Sequence, residues 1–151
     1  MPSSSVSSAL LMPPPADRRS FTMSVTACAA DIDELGHVNN AVYLRWVQDV
    51  ATAHWSAVAM PQHRDAYVWV VTRHEIDYLR QTVEGETLTL TTWVGDPKGA
   101  RFDRFVEIQG PDGASRVKAV TTWAIIDRAT GRLARVRADI AAPFIRPVGT
   151  D

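Results

Sequence analysis

Charge imbalance, paired cysteines and long apolar runs are all missing from this chain, and each absence narrows what it can be. Lysine and arginine number 16 against 17 aspartates and glutamates, a formal net charge of −1. That balance leaves no basic stripe of the kind a nucleic-acid surface requires, although two or three local cations could still hold a small anion. Cys28 is the single cysteine, which excludes an internal disulfide framework and a thiolate zinc cluster. Its position after an extended segment suggests a small core residue. The four histidines, His37, His54, His63 and His74, show no H-E-x-x-H or comparable spacing, so neither a metal nor another cofactor is expected. No stretch approaches the ~18 apolar residues of a membrane-spanning helix.

What is present is a chain of 151 residues with 46% hydrophobic and 22% charged side chains, the composition of one soluble globular domain. Residues 1–19, "MPSSSVSSALLMPPPADRR", differ from the rest. Serine, proline and a brief "ALLM" supply no periodicity and no apolar surface to offset ordering entropy. They are expected to form a disordered tail, with Met12 as an alternative start, and the single domain spans 20–151. Without a basic stretch before "ALLM", the segment does not read as a secretory signal, and the cytoplasm is the default location.

From Phe21, "FTMSVTACAA" alternates and reads as a first strand. A helix of about 18 residues follows, N-capped by Asn39 or Asn40. Tyr43, Trp46, Val47, Val50, Ala53, His54 and Ala57 share one stripe of it, and Arg45, Asp49, Thr52 and Ser56 take the other side. It ends before "MPQHRD", where Pro61 is a breaker. Strands then follow in series: "YVWVVTRHEIDYL", "ETLTLTTWVGD", "ARFDRFVEIQG" and, after an Asp-Gly turn, "SRVKAVTTWAIID". "RATGRLARV" reads as a turn and a last short strand, and "ADIAAPF" as a short helix or coil. One strand, one long helix and an antiparallel meander define an α+β layer structure. It resembles the hot-dog arrangement, a long central helix wrapped by a five- to six-stranded antiparallel sheet. An open sheet edge is a liability that pairing of two copies removes, so a homodimer or a tetramer built from dimers is expected.

Between the first strand and the helix lies "DIDELGHVNN", Asp31–Asn40. It holds more aspartate, histidine and asparagine than a turn and a cap require. A helix start presents unpaired N–H groups and a positive dipole end, a place that stabilises a carbonyl oxygen becoming anionic. Asp33 is positioned to face such a carbonyl, and Gly36 allows a positive φ. The same residues are also ordinary loop formers.

"DIDELGHVNNAVYLRW" is similar to the motif of the 4-hydroxybenzoyl-CoA thioesterase-like branch of hot-dog proteins, as in bacterial acyl-CoA thioesterases with D-x-x-x-H-V-N-N-x-x-Y. "EIDYLRQTVEGETL" and "TTWAIIDRATGRLARV" resemble later passages of that family, and the likeness spans roughly Phe21 to Phe144. The resemblance implies an acyl-CoA thioesterase, acting on CoA or acyl-carrier-protein thioesters. It makes Asp33 the catalytic carboxylate, as general base or as nucleophile. Backbone amides near Asn39 and Asn40 would polarise the carbonyl, and His37 would be helper or structural. In plant acyl-carrier-protein thioesterases an asparagine stands where this chain has Leu35, so a full Asp–Asn–His network is not implied. Asp31 is the competing carboxylate, and Asp49 a third on the polar helix face.

For the substrate, Val38, Asn39, Tyr43 and Trp46 are candidates to line the acyl site. Lys98, Arg101 and Arg104, read as exposed cations of one strand-to-strand turn, are candidates for the nucleotide phosphates. Two other readings stay open: an enoyl-thioester hydratase of the same fold, and a non-catalytic acyl-CoA binder.

Overall fold

The computed structural model describes residues 14–145. Five strands form one antiparallel sheet: β1 (Phe21–Thr26), β2 (Tyr67–Tyr78), β3 (Thr87–Lys98), β4 (Arg101–Gln109) and β5 (Ser115–Asp127), in the spatial order β1-β3-β4-β5-β2. Helix α1 (Asn40–Val58) lies along one face of it. A short α2 (Pro61–Ala66) leads into β2, and α3 (Ala138–Ala141) with a 3₁₀ turn (Ala142–Phe144) closes the far end.

The sheet forms because its inward positions alternate. Leu88, Leu90, Thr92 and Val94 of β3 are buried, and Leu90, Thr92 and Val94 stand opposite Ile108, Val106 and Arg104 of β4, with Phe102 also buried on that strand. Val42, Tyr43, Trp46, Val47 and Val50 of α1 pack onto Leu88, Leu90, Val106, Ile108, Val117 and Ala119. Each such side chain, fully withdrawn from water, contributes roughly 1.5–3 kcal/mol. A second apolar cluster holds the other end of the molecule and contains Val94, Phe102, Ile125, Val136, Ile140 and Phe144. Arg45, Asp49, Thr52 and Ser56 stay exposed on the outer side of α1. Among the described residues no helix is long and apolar enough to cross a membrane.

The expected hot-dog layout is present, with five strands rather than six. "RATGRLARV" makes a single bridge, Ile126 with Leu133, instead of a strand. Pro61 does stop α1, but it also opens α2 at the first helical position, where its missing N–H costs nothing. Cys28 is exposed, not buried. Of the segment expected to be a tail, residues 1–13 lie outside the described residues. Residues 14–19 run against the domain, where the Arg18 guanidinium donates to the Val94 carbonyl at 3.0 Å and the Arg19 N–H to the Phe144 carbonyl at 3.1 Å.

Candidate active site

The decapeptide folds into a small hairpin whose two sides are Asp31–Asp33 and His37–Asn39. Ile32 bridges Val38, the Asp33 N–H donates to the His37 carbonyl at 2.9 Å, and the Asn39 N–H to the Asp31 carbonyl at 3.0 Å. The hairpin is fixed from below. Val38 donates its N–H to the Thr82 carbonyl at 2.9 Å. The Thr82 hydroxyl in turn accepts from the Tyr43 hydroxyl at 2.7 Å and from Arg116 at 3.2 Å. Thr82 is wholly buried. In "QTVEGE" it looks like any loop residue, and only tertiary contacts give it a positioning role.

The two neighbouring carboxylates separate by their surroundings. Asp31 is buried; its carboxylate accepts from the Cys28 N–H at 2.9 Å and the Cys28 thiol at 3.3 Å, and from Arg45 at 3.1 Å. The Cys28 N–H, with help from the thiol and Arg45, holds its pKa below the usual carboxylate range although burial acts the other way. Asp31 therefore fastens the strand end to the helix. Asp33 is half-buried. Its Oδ1 accepts from the Leu35 N–H at 2.9 Å and more weakly from the His37 N–H at 3.5 Å. These bonds orient the carboxylate across the turn, where Gly36 sits at φ +85°, a conformation that favours glycine. Oδ2 accepts from nothing among the described residues, which leaves one oxygen of the pair available for chemistry.

At the helix start, the Asn39 side chain accepts from the Ala41 N–H at 2.9 Å and so caps α1. The Asn39 N–H is already bound by Asp31. Of the amides near these two asparagines, the Asn40 N–H is the one with no acceptor among the described residues. A backbone donor at the positive end of a 19-residue helix thus adjoins the loop that carries Asp33.

The remaining candidates do not all gather here. The His37 ring makes no hydrogen bond to Asp33, and its Nδ1 is buried without a partner among the described residues. Val38, Tyr43 and Trp46 are 4%, 2% and 4% exposed, packed in the core beneath the loop. Lys98, the last residue of β3, and Arg101, the first of β4, are exposed on either side of the turn, at the opposite end of β3 from the Thr82–Glu86 segment supporting the hairpin. Eleven residue steps separate Thr87 from Lys98, roughly 35 Å of extended chain. Arg104 contradicts its expected exposure. It faces inward and is 8% exposed, because the alternation of β4 puts it in phase with Phe102, Val106 and Ile108.

Residues 29–144 match the family model described as the thioesterase-like superfamily, and the chain belongs to that superfamily. A segment of 79 residues, 52% of the chain, is 27% identical to an acyl-[acyl-carrier-protein] hydrolase of the chloroplast from Cuphea viscosissima. That match spans only 19% of the plant protein's length. Among solved structures, the chain resembles the Staphylococcus aureus hypothetical protein SAV2348 in complex with CoA (TM-score 0.73, 20% identity, covering 87% of this chain and 85% of that one). It also resembles Slr0204 of Synechocystis, a 1,4-dihydroxy-2-naphthoyl-CoA thioesterase (TM-score 0.69, 17% identity, covering 80% and 92%). At these identities the likeness is one of fold.

Proposed function

We propose that this protein hydrolyses acyl thioesters, of CoA or of an acyl carrier protein, with Asp33 as the reacting carboxylate. The observation that carries the reading is the pairing of an oriented carboxylate having one uncommitted oxygen with an uncommitted N–H at a helix start. The thioester carbonyl lies between them with its oxygen on the Asn40 N–H. As general base, Asp33 takes a proton from water while the water oxygen bonds to the carbonyl carbon. As nucleophile, Asp33 bonds to that carbon itself, and water later cleaves the mixed anhydride. Either way the C–S bond breaks and the thiolate leaves, protonated from solvent. The superfamily and the relatives' chemistry support this class of reaction.

The open sheet edge supports assembly of two copies. β2 is twelve residues long and has no strand on its outer side among the described residues, and Val70 on it is 44% exposed. Two copies joined antiparallel along β2 bring the Tyr67 end of one strand beside the Tyr78 end of the other. The Tyr78 hydroxyl touches the Asn40 carbonyl at 3.5 Å, so that end marks the Asp33 site. In such a dimer one chain's Lys98 and Arg101 serve the partner's thioester, a role that about 35 Å forbids within one chain.

The test is thiol release followed across aliphatic and aromatic acyl-CoAs, with crotonyl-CoA included and its double bond monitored separately. Thiol release on at least one substrate is expected. Hydration of crotonyl-CoA without thiol release would replace the reading with a hydratase, and tight binding without either would leave an acyl-CoA binder.

A further inference from the structure

Arg104 is the one arginine buried below 10% exposure that has no carboxylate partner among the described residues. Arg116, equally buried, is paired with Glu86 at 3.1 Å and Asp112 at 3.3 Å. Arg104 instead gives one nitrogen, Nη1, to two neutral acceptors, His54 Nδ1 at 2.9 Å and Thr92 Oγ1 at 3.0 Å. His54 is neutral: burial, and then the Arg104 charge itself, hold its pKa down to about 3. A buried cation without an anion costs several kcal/mol, and burial pulls the Arg104 pKa down to about 9. Its Nε and Nη2 hydrogens donate to nothing among the described residues.

Arg104 borders a cavity of about 370 Å³ between the second half of α1, α2 and the sheet, large enough for a small organic molecule. Its walls are flat: Trp55, Tyr67, Trp69, Phe102, Trp123 and Phe144 line it. Trp55 lies parallel to Phe144 at 5.8 Å and edge-on to Trp69 at 5.4 Å. The indole N–H groups of Trp69 and Trp123 are buried without an acceptor among the described residues. Asp103 also borders the space, but its carboxylate accepts from the Thr122 hydroxyl at 2.8 Å, in the sheet register that alternates away from Arg104 and Thr121. Arg64 and Arg128 add positive charge to the lining.

We propose that this cavity binds an organic carboxylate on a flat apolar body, with the Arg104 guanidinium as its counter-ion. A carboxylate accepts from Nε and Nη2 together, the two-point geometry for which arginine is suited, and the indole and phenyl faces hold the body. The lining residues of α1 begin at Ala51, eleven residues beyond Asn40, and so lie about 16 Å or more along the helix from the Asp33 loop. Within one chain this is a separate site. Between two copies joined along β2 it faces the partner's Asp33 loop, so the carboxylate has two sources: a free acid, or the distal end of a substrate's acyl group. The binding of a free acid stands without the thioesterase reading; the second source rests on it.

The experiment has an arm for each source. In the first, benzoate and phenylacetate are titrated calorimetrically against benzamide into wild-type, Asp33→Asn and Arg104→Met protein. At least tenfold tighter binding of the carboxylates is expected in wild type and in Asp33→Asn, and loss of that preference in Arg104→Met. In the second, kcat/KM is compared for 4-carboxybenzoyl-CoA and benzoyl-CoA; a preference for the carboxylated substrate in wild type that Arg104→Met removes assigns the carboxylate to the substrate. The proposal is overturned if wild type discriminates in neither arm, a result that does not depend on any variant folding. It is equally overturned if discrimination survives in Arg104→Met. Because Asp33→Asn is titrated with free acids, loss of the thioesterase reading leaves the first arm standing.

Discussion

Lowering the pH from 7 to 5 should cost the fold about 2 kcal/mol through one residue, His54. Its side chain is 1% exposed, stacked on Phe21 at 5.1 Å and edge-on to Phe144 at 4.8 Å. Burial, with the Arg104 charge beside it, moves its pKa from 6.5 to about 3. The unfolded chain therefore takes up the proton first. The stabilising contribution is complete above about pH 6.5 and drains away as the pH falls toward about 3. Integrating the proton difference from pH 7 to pH 5 at about 1.4 kcal/mol per unit gives the ~2 kcal/mol, or roughly 4–8 °C in Tm for a chain of this size. Burial shifts His74 in the same direction, while Asp31 and Glu86, held below the usual carboxylate range, titrate lower. The comparison that isolates His54 is His54→Phe, which keeps the ring stack and removes the proton. Urea unfolding at both pH values should show wild type losing about 2 kcal/mol more than the variant. Equal losses would refute the claim that His54 stays neutral in the fold.

Three further substitutions probe the frame of the site. In Gly110→Ala the new Cβ would lie 2.2 Å from the Arg116 guanidinium, displacing it from Glu86; a loss of about 2–3 kcal/mol in urea unfolding is expected, and a change under 0.5 kcal/mol would refute the packing. Asn39→Ala removes the α1 cap and should cost about 1 kcal/mol, read as a lower denaturation midpoint. Asp31→Asn should lower stability by about 1–3 kcal/mol by weakening the bonds to Cys28 and Arg45, with kcat per folded molecule close to wild type; a catalytic collapse at unchanged Tm would reverse the roles given to the two aspartates.

Much of the frame could be read from residue order, because alternation and helical spacing are local properties. The "TLTLTTWV" pattern gives β3, and Asn39 announces the start of α1. Where the reading failed, the deciding interactions were not local. Pro61 ends one helix and begins another, two roles with the same sequence mark. Leu133 lacks the neighbours to extend a bridge into a strand. Arg104 follows the cations of a turn in sequence, but F-D-R-F-V-E-I places it every second residue with Phe102, Val106 and Ile108; the strand period, not the charge, sets its direction. Asp31 and Asp33 share an orientation on paper. Only Cys28 and Arg45 closing around the first, and an uncommitted oxygen on the second, tell them apart.

Asp33 is tested most directly as the reacting carboxylate by replacing it with asparagine. The amide oxygen of Asp33→Asn can still accept from the Leu35 N–H, so the turn and the fold are kept while the negative oxygen is lost. On any acyl-CoA that the wild type hydrolyses, thiol release by the variant should fall at least a hundredfold in kcat, the lower end of what a positioned base supplies, with Tm within about 2 °C of wild type. Undiminished turnover in a folded Asp33→Asn protein would contradict the assignment.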